Sequence, residues 1–169
     1  MCGGIVSKKV ICHSFLVSMQ WLFDKEKLMV FHFLDKYRDA GLLILRVGIG
    51  VMFAFHGYPK LVAGTETWAM IGGSMKALGV DFAPTAWGFM AALSECAGGI
   101  LLVLGFFTRP ACFFLLTTMI VATIMHIGKG DPFLKYSHAM ESGILFLSLI
   151  LIGPGKYSLD GQYRPGRKY

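Results

Sequence analysis

The sequence predicts an all-α integral membrane protein built as a four-helix bundle. Hydrophobic residues make up 55% of the 169-residue chain and charged residues only 15%, whereas soluble domains carry roughly 25% charged residues. The apolar residues are gathered in long blocks separated by short connections that contain Gly, Pro or charged residues. Because such a composition cannot cover a water-facing surface, it excludes a soluble enzyme.

Four apolar blocks carry the prediction of membrane helices. They cover residues 40–61, 87–107, 111–127 and 136–152. Each is close to the roughly 17–25 residues that a helix needs to cross the hydrocarbon core of a bilayer. Their side chains do not alternate between polar and apolar, as those of membrane strands do. We therefore predict four transmembrane helices.

The connections contain residues that begin or end helices. Pro110 suits the first turn of the third helix, where a missing N–H costs little. The short link before it predicts an antiparallel hairpin of the second and third helices. Turn-forming residues at 128–132 and 153–155 are expected to end the third and fourth helices.

The segment 62–86 between the first two blocks contains apolar residues at helical spacing, namely Trp68, Ile71, Met75 and Leu78. Thr67 is a candidate N-cap and Gly79 a candidate stop. The pattern predicts a short amphipathic helix on the membrane surface. An ordered loop is the alternative.

The first 35 residues form an extension outside the predicted four-helix domain, which covers 36–163; residues 164–169 are a basic tail. Residues 10–23 are apolar but too short to span, and they lack the features of a signal peptide. Residues 28–34 suit an interfacial helix that leads into the first span. With Met29 as the true start, the first 28 residues would not belong to the protein. These interpretations are all open.

Positive charge predicts the orientation of the chain. With the N-terminus in the cytoplasm, eleven Lys and Arg residues lie on the inner face and four on the outer face, as the positive-inside rule expects. The protein is therefore predicted to be a multi-pass protein of the bacterial plasma (inner) membrane, N-in and C-in. Its net charge of +6 comes from residues that flank apolar blocks. The expected partner is the lipid bilayer and not nucleic acid.

Ionisable residues inside apolar spans are costly, and each requires a physical reason. Every predicted span carries at least one: Arg46, His56, Glu95, His126 and Glu141, with His138 near the end of the fourth. Glu95 lies near mid-membrane and must be protonated, paired or exposed to a wet cavity. Arg46 could pair with Glu95 or extend to the inner headgroups, and both alternatives are open.

The site hypothesis is that His56, Glu95, His126 and Glu141, from four helices, converge inside the bundle. Such a group suits a proton-coupled redox site, a quinone pocket or a metal site. The absence of an HExxH pattern and of a CxxC pair gives metal no support, and we predict none. Two glycines, three and four residues after Glu95, predict that it faces another helix rather than lipid. A structural hydrogen-bonded core is the competing interpretation.

Short motifs recur along most of the chain: Gly41-Leu42-Leu43 with Arg46, His56-Gly57-Tyr58-Pro59-Lys60-Leu61, Leu78-Gly79 with Pro84, Glu95-Cys96-Ala97-Gly98-Gly99, Gly105-Phe106-Phe107-Thr108-Arg109, His126 with Asp131-Pro132-Phe133 and Glu141, and Gly153-Pro154-Gly155-Lys156-Tyr157-Ser158-Leu159-Asp160. In this order they resemble the DoxX family of small four-helix membrane proteins. That family takes its name from a subunit associated with thiosulfate:quinone oxidoreductase. The resemblance therefore implies a membrane subunit of a quinone-linked oxidoreductase system.

In that hypothesis Glu95 relays protons, and His56 and His126 donate hydrogen bonds to a quinone carbonyl. The other candidate substrate-binding residues are Arg46, Lys60, Asp131, His138 and Glu141. The sequence contains neither GxGxxG nor CxxCH, the motifs of dinucleotide binding and haem attachment. No cofactor is evident except a quinone, and a redox partner protein would supply the electrons.

Two other classes of function are open. A non-catalytic membrane module that binds a lipid or assembles a partner protein fits the missing cofactor motifs, with Glu95 and Arg46 as a structural pair. A small transporter is disfavoured because the sequence shows no inverted repeat or broken span, although a homo-oligomer could form a pathway.

Overall fold

The computed structural model describes residues 32–162 of the chain. Four predictions lie partly or wholly outside these residues: the extension at 1–35, the interfacial helix at 28–34, the alternative start at Met29 and the basic tail at 164–169. The chain divides into two compact units, Met1–Arg38 and Asp39–Tyr169. In the described part of the first unit, a 3₁₀ helix covers His32–Tyr37.

Four long helices and two short ones follow in chain order. They are α1 (Arg38–Val62), α2 (Thr65–Gly72), α3 (Pro84–Leu104), α4 (Thr108–Gly128), α5 (Phe133–Ile152) and α6 (Leu159–Gln162), and residues 32–162 contain no strand. The helices α1, α3 and α4 are each long and apolar enough to cross a membrane. The 20-residue α5 carries Lys135, His138 and Glu141 in its first half. The chain is an all-α integral membrane four-helix bundle, as predicted.

The second span begins and ends about three residues earlier than predicted, and both shifts have a local cause. Pro84 starts α3 because its fixed φ and missing N–H suit the first helical position. Gly105 ends the helix in the left-handed conformation, with φ 67°. Phe107, expected inside a helix, instead lies in the turn with φ 48°. The short turn and the packing of α3 on α4 confirm the predicted hairpin.

Close contacts between helices occur where glycine replaces a side chain. A Cβ on Gly50 would lie 2.6 Å from the carbonyl oxygen of Gly99, so α1 and α3 touch through their backbones. A Cβ on Gly98, on the other side of α3, would lie 3.1 Å from Leu115 of α4. The α1–α5 contact is made by aromatic rings instead, with Phe53 and Phe146 at 4.9 Å. Glu95 therefore lies on a helix face that is covered by protein, as predicted.

The segment between α1 and α3 is helical, which makes the loop alternative wrong. Helix α2 is followed directly by a 3₁₀ helix at Gly73–Leu78, and Gly79 ends it with φ 76°, as predicted. The predicted N-cap at Thr67 is wrong, because the helix begins at Thr65 after Gly64. The 3₁₀ helix packs against α4.

The two ends of the bundle are named here by their connections. The loop end holds residues 63–83 and 129–132, and the turn end holds residues 105–107 and 153–158. Helices α1 and α4 run from the turn end to the loop end, and α3 and α5 run the opposite way.

Candidate functional site

The buried carboxylate of Glu95 is paired with Lys60. The Lys60 ammonium donates to Glu95 Oε2 across 2.6 Å, and the side chain of Glu95 is only 6% exposed while that of Lys60 is 38% exposed. Gly57 makes the pairing possible because its missing side chain lets α1 press against the backbone at Glu95 and Cys96. The last turn of α1 is thereby brought level with the middle of α3.

The alternative that Glu95 pairs with Arg46 is wrong. Gly57 is the residue of α1 that lies level with Glu95, and Arg46 is displaced from it by about 16 Å along the helix axis. The Arg46 guanidinium is 1% exposed and donates to the carbonyl oxygens of Pro154 and Tyr157, each at 2.7 Å. Arg46 therefore does not extend to headgroups either. It ties α1 to the segment that follows α5.

Asp160 completes this turn-end structure, and its role has no local signal in the sequence. Its carboxylate accepts the backbone N–H groups of Phe107 at 3.0 Å and Thr108 at 2.8 Å. It thus caps the N-terminus of α4, where unpaired N–H groups and the helix dipole favour an anion. More than fifty residues separate the acceptor from these donors, so no pattern of adjacent residues could have revealed the cap.

Helix α2 is fixed beside the ion pair. The Trp68 indole N–H donates to the carbonyl oxygen of Lys60 at 2.9 Å. Gly88 lets the first turns of α3 press against the backbone of Trp68, and the Trp68 and Phe89 rings are 4.9 Å apart. The predicted apolar face of this segment therefore packs on α3, and Trp68 is a direct neighbour of Lys60.

His126 belongs to a separate polar cluster at the loop end. Its Nδ1 donates to Asp131 Oδ2 at 2.8 Å, and Lys135 donates to Asp131 Oδ1 at 2.9 Å. These hydrogen bonds, first from His126 and then from Lys135, lower the pKa of Asp131 below its usual value. The cluster closes the α4–α5 connection. Within residues 32–162, neither of its two hydrogen bonds involves Glu95.

The prediction that His56, Glu95, His126 and Glu141 converge inside the bundle is wrong. Of these residues only Glu95 is buried; His56 and Glu141 are exposed, as is the neighbouring His138, and His126 is bound to Asp131. The nearest partner of His56 is the Met52 carbonyl oxygen of its own helix, at 3.1 Å. Helical rotation is the reason, because His56 precedes the α3-facing Gly57 by one residue and is turned about 100° away from it. Within residues 32–162 no three His, Cys, Asp or Glu side chains are grouped to hold a metal ion.

The fold and the site define the class of protein: an integral membrane four-helix bundle with a buried Lys–Glu ion pair. The DoxX family model matches residues 41–127. An uncharacterized protein of Haemophilus influenzae is 33% identical over 136 residues, which are 77% of this chain and 96% of that protein. The inner membrane protein YphA of Escherichia coli is 33% identical over 133 residues, 73% of this chain and 90% of its own. The inner membrane protein YqjF of the same organism is 30% identical over 135 residues, 75% and 95% of the two chains. This chain belongs to the DoxX family, as its motifs predicted.

Proposed function

We propose that this protein is the membrane subunit of a quinone-linked oxidoreductase system of the bacterial inner membrane, with Lys60 and Glu95 at its quinone site. The observation that carries the proposal is the ion pair of 2.6 Å between α1 and α3. An ionised pair inside an apolar bundle is costly to keep. A role in proton exchange would explain why the protein keeps an ion pair despite this cost in free energy. The inner membrane proteins YphA and YqjF, as relatives, support the proposed membrane, and the charge distribution supports N-in, C-in orientation.

The two members of the pair differ in access, and this difference suits a ligand that arrives through the bilayer. Lys60 is 38% exposed, and only one of its three N–H donors is given to Glu95. A quinone carbonyl oxygen can accept from the same ammonium. Glu95, which is nearly covered, would then hold the Lys60 ammonium in place rather than contact the ring itself.

The proposed chemistry balances with electrons from elsewhere. A quinone becomes a quinol by taking two electrons and two protons, one proton on each carbonyl oxygen. Lys60 would deliver one proton to the carbonyl oxygen that it binds and would regain a proton from water through the exposed part of its side chain. Water would supply the second proton to the other carbonyl oxygen, while Glu95 holds the ammonium in place. A redox partner protein would supply the electrons. His56 and His126 take no part, since His126 is bound to Asp131 and His56 lies on another face of α1.

Fluorescence of Trp68 offers a direct test, because its indole is bonded to the backbone of Lys60. With Trp21→Phe and Trp87→Phe, the full chain in mild detergent would be titrated with a short-chain ubiquinone and with menadione. We expect saturable quenching that Lys60→Gln weakens about tenfold or more, since a hydrogen bond to a charged group is lost. Lys76→Gln is the matched control, because Lys76 is an exposed lysine of the same loop end, and it should leave the titration unchanged. Equal binding by wild type and Lys60→Gln, or no binding at all, would contradict the proposal.

A lipid-binding, non-catalytic module is the second candidate, and one feature favours it. An open groove of about 310 Å³ lies between α4 and α5, and its lining is almost entirely apolar, including Leu116, Ile120, Gly143 and Leu147. An acyl chain suits such a surface. Mass spectrometry of molecules that co-purify in mild detergent separates the candidates. A phospholipid lost on Gly143→Phe, together with absent quinone quenching, would favour the module.

A further inference from the structure

Besides His138 in the second turn of α5, two exposed ionisable residues on the membrane-spanning helices lack an explanation in the site above. Glu141, on α5, and His56, on α1, are both exposed, although ionisable groups in membrane spans usually face protein or water and pair with each other. The Nδ1–H of His56 is engaged with the Met52 carbonyl oxygen, which leaves Nε2 for a second partner. Each residue therefore has an open polar group on the outside of its helix.

Both residues lie on the outer surface of the α1–α5 pair, His56 about 60° around α1 from Phe53 and Glu141 about 140° around α5 from Phe146. The contact of Phe53 with Phe146 marks where these helices meet. His56 is turned about 60° from Phe53, and away from Gly50 and Gly57, which face α3. Glu141 is turned from Phe146 in the direction opposite to Gly143, which contacts Leu116 and Met119 of α4. Neither residue faces the α3 or α4 side of its helix, so both belong to the outer surface of this seam.

The two residues also lie at nearly the same depth. His56 follows Phe53 by three residues and so lies about 4.5 Å toward the loop end. Glu141 precedes Phe146 by five residues on a helix of opposite direction, and so lies about 7.5 Å toward the same end. The remaining difference of about 3 Å is within the reach of the two side chains.

The flank of α1 beside the seam is suited to a close approach by another helix. Gly41 and Gly48 are exposed, and a Cβ on either would have no atom within 4 Å. Gly50 and Gly57 are different, because their missing side chains allow α1 to contact α3. Small residues on an outer face of a membrane helix let a second helix approach closely, and Leu45 and Met52 continue the exposed stripe.

We propose that two copies of this chain associate through the α1–α5 seam, with His56 of one copy hydrogen-bonded to Glu141 of the other. A two-fold axis along the membrane normal keeps each residue at its own depth, so the pair forms only if both residues already share a depth. Because such an interface is isologous, each seam supplies both partners and the contact occurs twice. One proton held between the Glu141 carboxyl group and Nε2 of His56 then satisfies both groups, and Gly41 and Gly48 face the helix of the second copy.

Cross-linking between differently tagged copies tests the geometry. One copy carries His56→Cys and the other Glu141→Cys, both with Cys2→Ser and Cys12→Ser, and both are co-expressed in native membranes. The remaining His56 and Glu141 of this pair still form one of the two contacts. We expect a short bis-maleimide to give a product with both tags. The matched control is His56→Cys with Ile144→Cys, a similar depth on the α4 side of α5, and it should give no product above that of single-cysteine copies.

Energetic coupling tests the pair itself. Measured by energy transfer between labelled copies in vesicles, Glu141→Gln should weaken association about five- to tenfold, the effect of losing both hydrogen bonds of the two-fold dimer. The double variant His56→Glu with Glu141→His should restore it, and Glu66→Gln, outside the spans, should change nothing. An unchanged thermal midpoint shows that Glu141→Gln is folded. A monomeric wild type, equal association of Glu141→Gln, or stronger cross-linking through Ile144→Cys would each overturn the proposal.

Discussion

Which polar residues pair in this bundle depends on how far each side chain extends along the helix axis, and not on charge alone. Lys60 lies in the last turn of α1, yet its flexible side chain extends to the mid-span carboxylate of Glu95 at 2.6 Å. Arg46 carries the same charge but is too far along α1 to compete, and its planar guanidinium binds two carbonyl oxygens instead. The result is one ion pair with an accessible cation and one fully buried structural cation.

The pKa of Asp131 predicts how the stability of the protein depends on pH. Its pKa is lowered in the folded protein because His126 and then Lys135 donate to its carboxylate. The carboxylate therefore stabilises the fold at pH values above its ordinary pKa, and this contribution is lost as the pH falls through the lowered value. We expect the thermal midpoint in detergent to fall as the pH drops below about 4, and to fall less in Asp131→Asn than in wild type.

Asp81→Asn is the control for this prediction. Asp81 is also at the loop end, but it is 77% exposed and lies 3.9 Å from Lys76, a pair that contributes little. Its variant should keep the wild-type pH dependence. An Asp131→Asn profile that also matches wild type would show that the His126–Asp131–Lys135 cluster does not stabilise the fold.

At the scale of helices, contact between backbones determines which faces meet. Gly50, Gly57 and Gly99 join α1 to α3, whereas Phe53 and Phe146 keep α1 and α5 a ring width apart. This difference explains why the ion pair forms between α1 and α3 and why the α1–α5 seam carries exposed polar groups. In lipid, where apolar side chains gain little from contact with each other, such close fits supply much of the association between helices.

Gly57→Ala tests this role of glycine. Its Cβ would collide with the backbone of Glu95 and Cys96, which cannot move as a flexible side chain could. We expect a loss of at least about 2 kcal/mol in the free energy of unfolding, of the order that overpacking costs in well-packed cores. The measurement is SDS-induced unfolding of dilute protein in detergent.

Gly48→Ala is the matched control in the same helix. A Cβ there has no atom within 4 Å, and alanine forms helices better than glycine by up to about 1 kcal/mol. Stability should be unchanged or slightly increased. If Gly48→Ala and Gly57→Ala lose the same free energy of unfolding, Gly57 is not needed for the close contact of α1 with α3.

At the scale of the whole molecule, the two ends of the bundle have different roles. The turn end is closed by a network in which Arg46 and Asp160 join three helices. The loop end holds Trp68 and Lys60 with the accessible ammonium, and the His126 cluster. This difference between the two ends suits the proposed quinone site, which would be reached from the loop end.

The orientation prediction follows at this scale. With N-in, C-in topology the turn end faces the cytoplasm, as the excess of Lys and Arg beside it indicates. A fluorescent protein fused to the C-terminus should fluoresce, and alkaline phosphatase joined after Gly130 should be active. Phosphatase joined after Phe106 is the control and should be inactive. The opposite pattern of activities would show that the charge bias does not orient this chain.

Much of the candidate site could not be predicted because its contacts are between residues distant in sequence. Glu95 was identified from depth alone, since a carboxylate in an apolar span needs a partner. Which cation supplies that partner depends on the sliding of α1 along α3, and no sequence period encodes that displacement. The rotation of each helix likewise decided that His56 and Glu141 are exposed while Glu95 is buried.

From the sequence by itself it was possible to predict the membrane environment, the four long helices, the Gly- and Pro-containing connections at 128–132 and 153–155, and the DoxX membership. These depend on local properties: apolar length, backbone conformation at single residues, and motifs in order. Only the tertiary structure decided that Lys60 and not Arg46 meets Glu95, and that Asp160 caps α4. The physical reason is that such pairs depend on the shift and rotation of whole helices, which are fixed by close contacts such as Gly57 on Glu95 and Cys96.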